Sequence, residues 1–185
     1  MTLKKSIIGV ALCSMVAMFA GCDKLPSVEK MTTISTIAGK TAGYVCELSK
    51  TKTEVKEAIA KVLDIASNVV PTTGQTFVEA WAPVIETELK KLVDEGKIDA
   101  TGSQVASIAL KVACEGVDYI FIKYPKAKDA KELVGAAVAG FVKGYKSVVA
   151  CDNCTDCTIR AGSSNPDIDE EAYKYLKSKM DAYKK

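Results

Sequence analysis

The spacing of apolar residues constrains the fold of this chain more than any other feature of the sequence. From about residue 27 onwards, apolar residues recur at every third or fourth position, which places them on one face of a helix. The pattern predicts helices over about residues 27–48, 55–70, 77–93, 103–123, 127–150 and 169–185. At 185 residues the chain is long enough for one hydrophobic core. We therefore predict an all-α fold, a single bundle of five to six helices with a Cys-rich loop before the last helix.

The fourth predicted helix is apolar over most of its circumference, which is typical of a helix at the centre of a bundle. Lys111, Glu115 and Asp118 interrupt it, and their combined cost in lipid argues against a membrane span. In the third helix, Pro83 predicts a bend about one turn earlier, and Gly96 predicts the C-terminal end.

The fifth predicted helix carries small residues at every fourth position, namely Ala136, Gly140 and Gly144. Small residues on one face allow another backbone to approach closely. Such a stripe occurs in membrane helices that associate and also in the close packing of soluble bundles. The lysines beside it, among them Lys131 and Lys146, favour packing inside a bundle.

The last predicted helix follows Asp167, which resembles a capping residue paired with Glu170. One side of this helix carries four aromatic or apolar residues: Tyr173, Leu176, Met180 and Tyr183. We expect that side to pack back onto the bundle. The alternative is that it binds a partner protein, which makes these four residues the candidate partner-binding residues.

Beyond residue 22 the chain has five cysteines: Cys46, Cys114, Cys151, Cys154 and Cys157. In an oxidising, exported compartment such cysteines pair where geometry permits. We predict that disulfides tie Cys46 and Cys114 to the C-terminal cluster and staple distant helices together. Because the number is odd, at least one thiol stays free, and the sequence does not choose among the pairings.

The cluster of Cys151, Cys154 and Cys157 also has a redox interpretation, because C-x-x-C pairs can cycle between thiol and disulfide. The cluster follows a helix C-terminus, however, and the dipole there opposes a thiolate. An iron–sulfur or zinc site would need a fourth ligand that the local sequence does not supply. We predict no metal site and no catalytic residue.

The first 22 residues have the organisation of a bacterial export signal. Lys4 and Lys5 precede an apolar run, and small residues lead up to Cys22. The run from residue 6 to residue 21 has 16 residues, fewer than the ~20 that a membrane-spanning helix needs. The sequence of residues 19–22, Phe-Ala-Gly-Cys, resembles the lipobox of bacterial lipoproteins. The resemblance implies cleavage before Cys22 and attachment there of a diacylglycerol and a further acyl chain such as palmitate.

This resemblance also implies an organisation and a location. The expected segments are a signal peptide (1–21), a lipidated tether (22–29), a helical bundle (30–159), a linker (160–168) and a C-terminal amphipathic helix (169–185). The mature protein is expected in the cell envelope, held at a membrane by its lipid. In a Gram-negative host, Asp23 is associated with the inner membrane, facing the periplasm. The outer membrane is the alternative.

Composition excludes several functions. The chain has no His, so serine-triad and His-ligated zinc chemistry are absent. Loss of Lys4 and Lys5 with the signal would leave 23 of the 25 basic residues, which equals the 23 acidic residues and gives a net charge of zero. Because basic and acidic residues are interspersed, nothing favours a nucleic-acid partner.

We therefore predict a non-catalytic, membrane-anchored helical module that binds another envelope protein, as accessory, assembly, immunity or exclusion lipoproteins do. Two other hypotheses stay open. One is a thiol–disulfide redox protein that uses the cysteine cluster. The other is a carrier of an apolar ligand between the helices, which the Ala- and Val-rich fifth helix suggests.

Overall fold

A computed structural model of the chain describes residues 25–150 and 169–185. That part contains six α-helices and no strand. The helices are α1 (Val28–Val45), α2 (Thr53–Ala66), α3 (Phe77–Asp94), α4 (Ala100–Lys123), α5 (Lys131–Val149) and α6 (Glu170–Tyr183). Short 3-10 helices follow α1 and α4, at Leu48–Lys50 and Pro125–Asp129. The predicted all-α bundle is confirmed, whereas the signal peptide, Cys22 and the Cys-rich loop lie outside the described residues.

Local hydrogen bonds fix the ends of α3. Thr76 and Glu79 form a capping box, in which each side chain accepts a hydrogen bond from the backbone N–H of the other. At the other end Gly96 has a φ of 68°, and the N–H of Lys97 donates to the carbonyl of Leu92 at 2.9 Å. Only a left-handed residue permits this closure without strain, so Gly96 ends the helix as predicted. Between these ends, α3 continues through Pro83.

The second helix ends earlier than the apolar spacing predicts, at Ala66 instead of residue 70. The side chains of Ser67 and Asn68 donate to the carbonyl of Asp64, at 2.9 and 2.8 Å. These short side chains compete with the helical backbone and favour its termination. The chain beyond then packs irregularly, and the carbonyl of Val69 accepts a hydrogen bond from the indole N–H of Trp81 at 2.9 Å.

Helix α4 forms the centre of the bundle, as its apolar circumference predicts. It packs against each of the other five helices. Around it, Phe77 and Trp81 meet edge to face with ring centroids 5.3 Å apart, and Phe77 stacks on Phe121 at 5.6 Å. No helix in the described part of the chain has the length and apolarity needed to cross a membrane.

The most extensive helix contact joins α1 to α5, which run parallel. Gly140 lies against Thr32, and Gly144 lies against Thr36. A Cβ atom added at Gly144 would stand 2.0 Å from the carbonyl oxygen of Thr36, so the two backbones leave no room for a side chain there. The small-residue stripe of α5 is thus used for close packing inside the bundle, as predicted. Helix α1 contributes a matching glycine, Gly39.

Candidate functional site

The candidate partner-binding side of α6 faces the interior of the bundle. Leu176 is 0% exposed and Met180 is 3% exposed. Tyr173 and Tyr183 are half-buried and pack against the same core. The expectation that α6 packs back onto the bundle is confirmed. Packing against the core already uses much of the surface of these four residues, and a partner-binding role for them stays a prediction.

A single carboxylate on α4, that of Glu115, holds α6 in place. It accepts hydrogen bonds from the hydroxyls of Tyr175 and Tyr183, at 2.9 and 2.7 Å, and from the ammonium of Lys179 at 3.1 Å. Burial alone raises the pKa of Glu115, but these three bonds outweigh it and lower the pKa overall. Burial and the neighbouring charge of Glu115 in turn raise the pKa of Tyr183. Glu115 is therefore fully occupied by structural contacts.

Asp118, one turn further along α4, has a structural partner of its own. Its carboxylate accepts from the backbone N–H groups of Phe77 and Val78, at 2.9 and 3.1 Å, and so caps the start of α3. Burial raises its pKa despite these bonds. Glu115 and Asp118 line a surface cavity of about 500 Å³ together with Lys128 and Lys179. Glu79 also lines the cavity, and its carboxylate accepts from the backbone N–H of Thr76. All three carboxylates are therefore already paired with donors.

The two described cysteines correct the disulfide prediction, because Cys46 and Cys114 are both free thiols. Cys46 follows the end of α1 and is half-buried, and burial raises its pKa to about 12. Cys114 lies in the core of α4, where burial also raises its pKa. The apolar surroundings of both thiols disfavour the thiolate. Cys151, Cys154 and Cys157 lie outside the described residues.

The described helices bring together no group of three or more acidic or Cys side chains that could hold a metal ion. Among the described residues, an apolar groove runs along the outer face of α5. It encloses about 1040 Å³ and continues onto the end of α2. This volume lies near the upper end of the ~300–1,000 Å³ that ligand sites occupy. We name this feature the α5 groove and define it by its lining residues: Ser67, Val70, Lys128, Asp129, Lys131, Val134, Gly135, Val138, Ala139, Val142, Lys143 and Lys146.

Lysines surround the apolar floor of the α5 groove. Lys146 forms an ion pair with Asp64 at 2.7 Å, and Lys128 donates to the carbonyl of Gln75 at 2.9 Å. Lys131 and Lys143 are exposed and form no hydrogen bond or ion pair with any described residue. The groove therefore offers an apolar surface beside two uncommitted positive charges.

The sequence hypothesis did not place this groove, although it named α5 as the helix suited to an apolar ligand. The sequence signal was present. Val134, Val138 and Val142 form a second stripe at every fourth residue, offset by two positions from the small-residue stripe. What the sequence did not show is that α2 stops at Ala66 and that Val138 and Val142 are only partly buried by the described residues.

These features define a class of protein: an all-helical bundle with a lysine-rimmed apolar groove and no constellation of catalytic groups among its described residues. Comparisons with protein families, with curated proteins and with solved structures found no match for this chain.

Proposed function

We propose that this protein is a lipid-anchored envelope protein that acts by binding and not by catalysis, and that the α5 groove is its binding surface. The observation that carries the proposal is the groove itself. Val70 beside it is 65% exposed, and Val138 and Val142 in it are only partly buried, so these apolar side chains remain available to a ligand. The groove has an apolar floor and a charged rim, as binding sites have for ligands that carry both an apolar and a charged part.

The redox alternative uses Cys151, Cys154 and Cys157, which lie outside the described residues. The two described cysteines give it no support, because Cys46 and Cys114 are thiols in apolar surroundings that raise their pKa. Reactive cysteines instead lie in exposed, electropositive places that lower it. A partner-binding role for the apolar side of α6 has no support either, since Glu115 and the core occupy that side.

The anchoring part of the proposal rests on the lipobox-like sequence that ends in Cys22. Two or three acyl chains would hold the protein at a membrane stably, where a single chain binds reversibly. We expect the Cys22→Ser variant to lose the acyl mass and to leave the membrane fraction. Unchanged mass and unchanged fractionation of this variant would refute lipidation at Cys22.

The binding part is tested with a photoreactive residue in cells that produce the full chain. A benzoyl-phenylalanine replaces Ala139, which is exposed in the groove, or Lys91, which is exposed on α3. We expect a defined adduct from position 139 and none from position 91. When Gly135→Trp is added to the variant with the probe at position 139, the Trp side chain should fill the groove and remove the adduct. Equal crosslinking at both positions, or an adduct that survives Gly135→Trp, would count against the α5 groove as the binding surface.

A further inference from the structure

We propose that the α5 groove binds a single-chain anionic amphiphile, such as a long-chain fatty acid, with its apolar chain along α5 and its acidic head at Lys143. This inference rests on the proposed function, because it names the ligand of the same groove. The two can be tested separately, since a groove that binds a protein would agree with the proposed function and contradict this inference.

The floor of the groove matches an extended hydrocarbon chain in chemistry and in length. Val138 and Val142 stand one turn apart along it, and a Cβ atom added at Gly135 would meet nothing within 4 Å. The missing side chain at Gly135 therefore widens the groove at that level. From Lys131 to Lys143 the helix rises roughly 18 Å. One acyl chain reaches across half of a ~30 Å hydrocarbon core, or roughly 15 Å, so a single chain fits between these lysines.

The charges at the two ends of the groove favour one orientation. At the start of α5, Lys128 and Lys131 share the lining with the carboxylate of Asp129. At the other end, Lys143 and Lys146 line the groove with no acid between them. Lys146 already pairs with Asp64, and Lys131 shares its end of the groove with Asp129. Lys143 is therefore the uncommitted cation with no acid beside it in the lining, and we expect it to meet the acidic head group. The chain of the ligand then points towards Gly135 and Lys131.

The register of α5 against α1 places the groove near the expected anchor. The two helices are parallel, and Gly140 lies beside Thr32, so the start of α1 at Val28 is level with the first turns of α5. Val28 follows Cys22 by only six positions, and six extended residues span roughly 20 Å at most. With Cys22 acylated, the end of the groove at the start of α5 would lie within reach of the membrane surface, where single-chain amphiphiles are available.

The test uses the full chain reconstituted in phosphatidylcholine vesicles and palmitate that carries a diazirine near the end of its chain. After irradiation, adducts are mapped by mass spectrometry. We expect them within residues 131–139, because the head at Lys143 directs the chain end to that part of α5. Hexadecanol with the same diazirine should label this segment much less, since it has no charge for Lys143 to meet.

Matched variants separate the charge from the apolar floor. Lys143→Glu should lower labelling about fivefold, as loss of an exposed ion pair does. Lys61→Glu, which reverses an exposed lysine on α2 outside the groove lining, should leave it unchanged. Gly135→Trp should abolish labelling. Labelling spread over other exposed apolar residues, such as Val105 and Ile122, or labelling unaffected by Lys143→Glu, would overturn the inference.

The outcomes also distinguish this inference from the proposed function. If palmitate fails to label the groove while position 139 still crosslinks to a protein in cells, the groove binds but its ligand is not an amphiphile. If neither probe reacts, the proposed function fails as well. Because Lys143 is exposed, its variant tests the inference even if Gly135→Trp does not fold.

Discussion

Two glycines of α5 should respond in opposite ways to the same substitution. Gly135 and Gly144 both lie inside the helix with ordinary negative φ, so alanine fits the backbone at either position. Alanine is favoured over glycine in a helix by about 0.5–1 kcal/mol, partly because it restricts the unfolded chain. That gain is common to both sites. Any difference between the two variants therefore reports what the added methyl group meets in the folded protein.

The structure gives very different surroundings to the two methyl groups. At Gly135 the new Cβ would have no atom within 4 Å, so the gain is realised and Gly135→Ala should stabilise the protein by up to about 1 kcal/mol. At Gly144 the new Cβ would lie 2.0 Å from the carbonyl oxygen of Thr36, which is backbone and cannot turn away. Overpacking costs about 1–3 kcal/mol, and a clash with backbone on α1 belongs at the upper end. Gly144→Ala should therefore lose about 2 kcal/mol overall.

The assay is urea unfolding followed by circular dichroism, with thermal melting as a second measurement. For a chain of this size, each kcal/mol moves the melting temperature by roughly 2–4 °C. Gly135→Ala should therefore melt slightly higher than the wild type, and Gly144→Ala roughly 4–8 °C lower. Gly39→Ala serves as a control from the opposite helix, because its Cβ would lie 2.1 Å from the carbonyl oxygen of Phe141. A Gly144→Ala protein as stable as Gly135→Ala would refute the close α1–α5 contact.

Three further predictions concern groups that the bundle buries. Ser35→Ala should raise stability by about 1 kcal/mol in urea unfolding, because the buried hydroxyl has no hydrogen-bond partner among the described residues; a clear loss would reveal a partner. Glu115→Gln should speed hydrogen exchange in α6 at neutral pH. Because the pKa of Glu115 is lowered in the folded protein, the carboxylate contributes its full stabilisation above the ordinary pKa of 4.5 and loses it as the pH falls through the lower folded pKa. Hydrogen exchange in α6 of the variant should therefore change less on acidification than exchange in the wild type. Cys46 and Cys114 should resist iodoacetamide in the native protein yet react fully in denaturant without a reductant; failure to react there would show that they are oxidised.

The elements that sequence reasoning predicted well depend on local chemistry. Apolar spacing located all six helices, since a helix that packs on one side must carry an apolar residue at every third or fourth position. Gly96 marked the end of α3 because the helix closes through a residue in the left-handed conformation, which glycine adopts readily and which depends only on the local chain. The end of α2 was missed because Ser67 and Asn68 bond back to Asp64, a competition that apolar spacing does not register. Similarly, α6 begins after Asp169, which caps it, while Asp167 lies outside the described residues.

The candidate site was harder to predict because it depends on which surfaces remain uncovered. The aromatic side of α6 looks like a free binding face in the sequence, but Glu115 lies 60 residues from Tyr175, and no local pattern pairs them. The cysteine spacing suggested staples, yet Cys114 lies in the core of α4 as a free thiol. Conversely, the α5 groove is lined by α5 together with Ser67 and Val70 after α2, which lie far from α5 in the sequence. Each of these outcomes is set by tertiary packing, which apolar periodicity alone does not encode.

Helix α5 meets two packing demands on nearly opposite faces, and this arrangement decides how its variants can be interpreted. The positions packed against α1, Gly140 and Gly144, are offset by two residues from the groove positions Val138 and Val142. Two residues turn an α-helix by about 200°. A substitution at Val138 thus alters the groove without touching α1, whereas one at Gly140 disturbs α1 and leaves the groove lining intact. We therefore expect Val138→Glu to abolish ligand labelling with only a modest loss of stability, since Val138 is partly buried at the edge of the core, and Gly140→Ala to lower stability while the folded fraction keeps its labelling. If both variants lost labelling in proportion to stability, the groove would have no role separate from the fold.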